Sequence, residues 1–379
     1  MFLYELKKLA ATPALWGFIM LCVAFNCFIT ITQESGAGYP NFVSSVGKTA
    51  GTTLDRSFQE MLAAFPDDAD GFKAALQTET ADARDVFENY DIIEIGERYI
   101  GVHNADGKIA EIFRNKYADM QTHVDSLAAA DESMSLYFGG GTYYLHQSLF
   151  GDVFGRLLME SMLCASLLTL LLFGYERSHN TELTAYSSKT GRRLLLTKLS
   201  ASITASIIAF GLLAIVSLGT YFTLNDFSGI WRSSVSSGFN KMHDLIAGMR
   251  PFTTWRSFTV LGYFLACTGI SIGIVAAISL FSAAVGVFLR NTYVGFMIVV
   301  LFNALCVVAP IAFSGRTFIH YIFTLSPIYL WGLRIRWFTD GSADTLWKNF
   351  ELLGLAASGV LFLILYLTAN KHFARRDLS

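Results

Sequence analysis

Residues 175–199 read YERSHNTELTAYSSKTGRRLLLTKL and separate two long apolar runs. The segment is rich in basic residues, whereas each flanking run is long and apolar enough to cross a bilayer, which takes about 20 helical residues. Because Lys and Arg concentrate in cytoplasmic loops, we predict that the segment lies inside, between two membrane spans.

The composition extends this reading to the whole chain. Of its 379 residues, 53% are hydrophobic and only 15% are charged, whereas soluble domains carry about 25% charged residues. Several further apolar runs are long enough to span. The sequence therefore predicts a multi-pass membrane protein.

Acidic residues are concentrated in one block. Of the 30 acidic residues, 19 lie between residues 33 and 150, together with 8 basic ones. An acidic surface does not suit nucleic acid, whose phosphates attract Lys and Arg. The block contains no cysteine, so disulfides cannot staple it. We expect a helical extracellular domain with one core, its best helical periodicity at 108–127 and further helices at 54–65 and 81–100.

The predicted fold class is an all-α polytopic membrane protein with six transmembrane helices. The stretch 317–333 leaves an alternative open, because it is apolar enough to span but is broken by Pro327. It either crosses, giving seven spans, or re-enters, giving six, and we favour six. The predicted boundaries are an interfacial elbow helix at 1–11, membrane helices at 12–32, 153–175, 200–222, 258–288, 292–313 and 351–370, an extracellular domain at 33–152, a polar cytoplasmic loop at 176–199, an extracellular loop at 223–257, a re-entrant hairpin at 314–350 and a cytoplasmic tail at 371–379.

Motifs for catalysis, nucleotide binding and metal binding are missing from the sequence. We therefore expect a chain that is not an enzyme and binds no cofactor of its own. Polar residues within apolar spans are costly and are functional candidates by default. On that ground we assign a substrate pathway to Asn26, Arg156, Glu160 and Asn303, with Arg156 and Glu160 on one helix face, four residues apart.

The loop at 176–199 carries the signals of a short capped helix. Thr181 is a helix-capping residue type, Glu182 suits the positive first turn, and Gly191 is a stop signal. Positive-inside flanking explains the basic residues Arg192, Arg193 and Lys198 without any partner. It does not explain Glu176 or the Thr181–Glu182 start.

With ELKK at residues 5–8, ERSHNTEL at 176–183 and RRLLLTK at 192–198, the chain resembles permease subunits of ABC-2 type transporters. The layout is similar to the subgroup with a large extracellular domain between the first two spans, which includes ABCA-like and sodium-exporting permeases. One departure is Ser187–Ser188, where the family often has a proline.

The resemblance implies a half-transporter in a bacterial cell membrane with both termini in the cytoplasm. It pairs with a second permease copy or a sibling permease and with cytoplasmic ABC ATPase subunits that bind ATP and Mg. The ATPase would dock through Glu176, Thr181, Glu182, Arg192, Arg193 and Lys198. The expected cargo is amphipathic or lipid-like, such as a drug, a lipid or an antimicrobial peptide, and no nucleic acid is involved.

Two other functions remain open at this point. The chain could be a non-enzymatic membrane receptor or sensor whose acidic extracellular domain binds a ligand. It could also be a secondary transporter, although such proteins need charged groups near the middle of the membrane.

Overall fold

The computed structural model describes residues 1–33, 38–81, 83–138, 145–181, 194–289, 291–313 and 315–375. It begins with a short helix, α1 (Phe2–Ala10), that carries Lys7 and Lys8 in its last turn, where helix carbonyls favour positive charge. A break at residues 11–12 separates it from α2 (Pro13–Gln33). This helix starts with proline, at a position where the missing N–H costs no hydrogen bond.

The described residues between 38 and 129 form five α-helices, and two of these helices confirm sequence predictions. The 108–127 pattern forms α7, and 54–65 forms α4, where the Asp55 side chain accepts from the Phe58 N–H at 2.8 Å. The predicted helix at 81–100 is wrong in its first half. There the Asp85 side chain accepts from the Phe87 N–H and stabilises a turn instead, and Asp91 caps the start of α6. The helices are α3 (Gly38–Ala50), α4 (Arg56–Ala64), α5 (Phe72–Ala81), α6 (Ile92–His103) and α7 (Gly107–Ala129).

The second half of the chain is also mainly helical. A segment of π-helix, Gln147–Val153, runs directly into the second long apolar helix. A small antiparallel hairpin lies between the third and fourth long helices. The elements are α8 (Phe154–Ser178), α9 (Leu194–Leu224), β1 (Lys241–Asp244), β2 (Gly248–Pro251), α10 (Val260–Phe288), α11 (Thr292–Ala312), α12 (Phe318–Phe323), α13 (Pro327–Gly332) and α14 (Phe350–Arg375).

Six helices in the described part of the chain are long and apolar enough to cross a membrane: α2, α8, α9, α10, α11 and α14. The stretch 317–333 is split into α12 and α13, each of six residues. Since a span takes about 20 residues, neither of these helices can cross. The protein is therefore an all-α, multi-pass membrane protein, and the seven-span alternative is not supported.

Helices α8 and α10 form the centre of the bundle, and α2, α9, α11 and α14 surround them. Close packing explains one glycine in this arrangement: a Cβ on Gly273 of α10 would lie 2.7 Å from a methyl carbon of Leu355 on α14. A larger residue would require the Leu355 side chain to shift.

The domain at one end of the bundle is assembled from three separate segments. Arg250 of β2 donates to Asp340 at 2.7 Å, and the Tyr117 hydroxyl of α7 donates to the same carboxylate at 2.7 Å. The Tyr99 hydroxyl of α6 donates to Asp244 of β1 at 2.8 Å. We call these five buried residues the three-segment network, and the end of the bundle that carries them the domain end.

The apolar cores also combine residues from separate segments of the chain. Phe113 of α7 belongs to one core with Trp255 and Leu346, which come from the later segments. By contrast, Val43 of α3 and Phe58 of α4 belong to the core of the membrane bundle. The expectation of one core within residues 33–152 is therefore wrong, because that block alone cannot cover the apolar faces of its helices.

Candidate functional site

Four charged side chains meet at the end of the bundle opposite the domain end. Lys8 of α1 donates to Glu5 at 2.7 Å and to Glu176, near the end of α8, at 2.8 Å. Lys198 of α9 pairs with the other oxygen of Glu176. We call Glu5, Lys8, Glu176 and Lys198 the helix-end cluster.

The helix-end cluster gives its buried charges partners of opposite charge. The Lys198 side chain is 0% exposed, and it also donates to the Leu172 carbonyl at 2.7 Å. A buried charge is tolerated only when a partner and hydrogen bonds replace water. Glu176 therefore joins three helices by accepting from both α1 and α9.

Lys8 is held by aromatic faces as well as by carboxylates. Its ammonium lies 5.1 Å from the ring centre of Tyr4 and 4.8 Å from that of Tyr175. Burial lowers the pKa of Lys8, but the hydrogen bonds and charges of Glu176 and Glu5 raise it by more, so that its pKa lies above the ordinary value. The side chain is therefore charged at neutral pH.

A fourth helix is tied to the same region. Arg177 donates from Nη1 to the carbonyl of Leu289, just after α10, at 2.6 Å. Cations favour the carbonyl end of a helix, where the last acceptors lack partners within the helix. The ends of α1, α8, α9 and α10 are thus connected close to Thr181 and Leu194, the described residues on either side of 182–193.

The predicted docking residues divide into three groups. Glu176 and Lys198 are buried in the helix-end cluster, so they join helices of this chain rather than present charge at its surface. The backbone N–H of Thr181 donates to the Glu176 carbonyl at 2.8 Å, so Thr181 closes α8. Glu182, Arg192 and Arg193 lie outside the described residues.

A second candidate region is a cavity between α8, α10, α11 and α13. Its volume is about 350 Å³ and its lining is almost entirely apolar, with Met162 and Val299 among its walls and Asn303 as a polar exception. Exposed α11 side chains, Val300 and Val308 among them, form part of the wall. An exposed apolar face on a spanning helix faces lipid, so we infer that the cavity opens sideways.

A polar pocket of about 400 Å³ adjoins this apolar cavity. The two share Met159 and Trp331, and the polar pocket adds Asp152, Arg156, Glu160 and Arg334. We call the apolar cavity and the polar pocket together the lateral pocket. An apolar chamber beside one lined by both charge signs is complementary to a molecule with an apolar tail and a polar head.

Three of the four predicted pathway residues line the lateral pocket, and the fourth, Asn26, contacts one of them. Asn303 lines the apolar cavity, and Arg156 and Glu160 line the polar pocket. Asn26 of α2 donates to Glu160 at 2.5 Å, whereas Arg156 reaches Thr30 at 3.4 Å. The sequence spacing places Arg156 and Glu160 on one face of α8, and both side chains hydrogen-bond to residues of α2.

Sequence reasoning missed Trp331 and Arg334 as pocket residues. The Trp331 indole donates to the Gly155 carbonyl at 2.8 Å, and Arg334 Nε donates to the Gly151 carbonyl at 2.5 Å. A Cβ on Gly155 would lie 2.5 Å from the Arg334 guanidinium. The available signal was the pair Gly151 and Gly155, four residues apart at the start of a span, which leaves room for a large side chain.

Metal ligation finds no support among the described residues, which contain no group of three or more His, Cys, Asp or Glu side chains placed to hold an ion. All five cysteines are free thiols, and four of them are buried. Comparison with protein-family models, curated proteins and solved structures found no match to this chain.

Proposed function

We propose that this chain is the membrane-spanning subunit of an ATP-driven exporter of the ABC-2 type, which moves an amphipathic or lipid-like molecule out of the cell. The helix-end cluster carries the proposal. It joins α1 to the ends of α8 and α9 on both sides of residues 182–193, the loop expected to receive force from a separate ATPase.

A transmitted push requires a stiff connection at the receiving end. Glu176 accepts from Lys8 and Lys198 in a buried setting, where the attraction between charges is stronger than in water. A displacement of residues 182–193 would therefore move α1, α8 and α9 together. In this proposal Glu176 and Lys198 transmit the movement, and the ATPase contacts the loop between them.

The lateral pocket supports the proposed cargo. Its apolar cavity accommodates a hydrocarbon tail, and its polar pocket offers Arg156 and Arg334 to an anionic head group and Asp152 and Glu160 to a cationic one. Such a molecule would enter from the bilayer between α8 and α11, without passing through water.

The proposal also implies an orientation in the membrane and roles for α1, α12 and α13. Helix α1 acts as an interfacial elbow, α12 and α13 form a re-entrant hairpin, and both termini lie in the cytoplasm of a bacterial cell. Lys7, Lys8 and Arg177 then lie inside, which agrees with the positive-inside tendency. The three-segment network would lie outside.

The remaining parts of the machine would come from other chains. We propose that two cytoplasmic ABC ATPase subunits supply ATP and Mg, and that a second permease copy or a sibling permease completes the pathway. This chain would then bind no cofactor and catalyse no reaction itself.

A purification from the native host tests the proposal. The full chain, tagged and extracted in mild detergent, is expected to carry an ATPase subunit in stoichiometric amount, with ATP hydrolysis stimulated by added amphiphiles. Glu176→Lys should abolish that stimulation, whereas Glu97→Lys, an exposed change on α6, should not. Ligand responses of the chain alone, without ATPase, would instead support the receptor alternative and overturn the exporter.

A further inference from the structure

A third cavity lies at the domain end, beside the first residues of the π-helical segment. Its volume is about 180 Å³, and Gln147, Phe252, Lys241, His243, Arg336 and His146 are among the residues that line it. The lateral pocket shares none of these residues. The cavity is thus a separate feature, placed where the bundle meets the three-segment domain.

The lining is basic although the chain as a whole is not. Lys241 and His243 are two residues apart on β1, so they share one face of the strand. Arg336 comes from the turn that follows α13, and Asp344 holds it from outside the lining at 3.3 Å. Among the described residues that line the cavity, none is a carboxylate.

His146 forms a buried part of the cavity wall. The residue is only 3% exposed, and its ring packs 4.5 Å from that of Phe252, another lining residue. Its Nδ1 lies 3.2 Å from the Tyr137 hydroxyl, and within the described residues its Nε2 has no hydrogen-bond partner. Burial lowers the pKa of His146 to about 3, so the ring is neutral.

We propose that this cavity binds a phosphate group, either free or as the phosphodiester of a lipid head group. Arg336 and Lys241 supply the charge, and the Gln147 side chain supplies a neutral donor, a combination that suits phosphate oxygens. The cavity adjoins Gln147, the first residue of the apolar helical stretch 147–178 that is long enough to cross a membrane, so the test includes a lipid head group as a source of the phosphate. The inference does not depend on the exporter proposal.

Two binding measurements on the full chain in detergent test this site. One titrates inorganic phosphate by calorimetry. The other counts phosphatidylglycerol adducts by native mass spectrometry, with diacylglycerol as the lipid that lacks phosphate. Lys241→Gln with Arg336→Gln should weaken the phosphate interaction by about tenfold or more, since both charge-assisted bonds are lost. The matched control is Arg232→Gln with Arg256→Gln, two exposed basic residues outside the cavity.

The two measurements also distinguish the source of the phosphate. Binding of both probes, each reduced in the cavity variant, assigns a general phosphate site, and binding of phosphatidylglycerol alone assigns a lipid head-group site. Binding of neither probe, or equal binding by wild type and cavity variant, overturns the proposal. If the double variant does not fold, Lys241→Gln alone provides the comparison, because Lys241 is exposed and its loss leaves the core intact.

Discussion

The Lys8 ammonium lies 2.8 Å from a Glu176 carboxylate oxygen, although 168 residues separate the two in the sequence. The contact fastens the first helix to the far end of the second span. Because Lys198 pairs with the other oxygen of the same carboxylate, Glu176 is shared between two cations from two helices.

Replacing Glu176 alone should therefore destabilise the protein more than replacing Glu176 and Lys198 together. Glu176→Gln leaves Lys198 buried without its counter-charge, and breaking a buried pair typically costs about 3–5 kcal/mol. Combining it with Lys198→Met should recover much of the loss. Thermal unfolding in detergent measures both, with Glu94→Gln, which breaks an exposed pair with Arg98, as a control of little effect. Equal losses in the single and double variants would contradict the burial argument.

Filling the apolar cavity should block binding of amphipathic molecules. Ala304 lines the cavity on α11, and Ala304→Phe places a ring in the space intended for a hydrocarbon tail. We expect affinity for a fluorescent lipid to fall by about tenfold or more, because the ring excludes the tail from the cavity; tenfold corresponds to about 1.4 kcal/mol. Ala312→Phe, an exposed change at the end of the same helix, should bind normally. If the two variants behave alike, the cavity does not hold the tail.

Lys116 should destabilise the domain at neutral pH. Burial lowers its pKa from 10.5 to about 8, despite a 2.7 Å hydrogen bond to the Thr345 carbonyl. At about 1.4 kcal/mol per pKa unit, this amounts to about 3 kcal/mol. Because the unfolded state holds the proton more tightly, the cost is fully present below pH 8 and disappears as the pH rises from about 8 to 10.5.

Lys116→Met should therefore raise the domain's unfolding temperature at pH 7 and remove the gain in stability of the wild type between pH 8 and 10.5. Lys108→Met, on an exposed residue of the same helix, is the matched control. A destabilised Lys116→Met variant would show instead that the hydrogen bond to Thr345 outweighs the cost of burying the charge.

Acid should weaken the three-segment network. Burial raises the pKa of Asp244, but hydrogen bonds from Ser342, two backbone N–H groups and Tyr99 lower it by more, to about 2. A carboxyl whose pKa is depressed by folding contributes stability above its unfolded pKa, and this contribution is lost as the pH falls through the folded value. The protection of α6 amides, measured as the ratio of intrinsic to observed hydrogen-exchange rate, should therefore fall between about pH 4 and 2. In Asp244→Asn this protection should already be low at pH 7 and change little over the acid range.

A single methyl group should separate α3 from the loop after α9. The Gly229 N–H donates to the Ser44 hydroxyl at 2.9 Å, and a Cβ on Gly229 would overlap the Ser44 carbonyl oxygen. Gly229→Ala should lower the unfolding temperature by several degrees. Gly211→Ala, on α9 where a Cβ meets nothing within 4 Å, should be neutral or stabilising by up to about 1 kcal/mol. Equal unfolding temperatures for the two variants would argue against the tight contact.

Local patterns predicted the local elements well. Apolar runs located the six spans, because their number and length follow from hydropathy alone. The periodicity of 108–127 located α7. The bond from Asn26 to Glu160 spans 134 residues, and no periodicity links residues so far apart. Arg334 was missed because its role depends on the carbonyl of Gly151, which becomes an acceptor only through tertiary packing.

The helix predicted over residues 81–91 was wrong for a related reason. The composition there is typical of a helix, but the Asp85 side chain accepts from the Phe87 N–H and so competes with helical hydrogen bonds, and Asp91 caps the start of α6 instead of lying within a helix. Thr181 was predicted to start a helix from its residue type, and its N–H donates to the Glu176 carbonyl at the end of α8. The residues of the predicted helix itself lie outside the described part of the chain, so that prediction stays a prediction.

The hydrogen bond from Tyr117 to Asp340 spans 223 residues. The domain can therefore complete this contact only late in the synthesis and insertion of the chain. Tyr117 is synthesised early, but its acceptor reaches the same side of the membrane only after the fifth span has been inserted. At about 5–20 residues per second, the delay is on the order of ten to forty seconds. During that time α6 and α7 expose apolar faces later covered by Trp255 and Leu346. A nascent chain stalled after the fourth span should therefore be a target for chaperones and proteases.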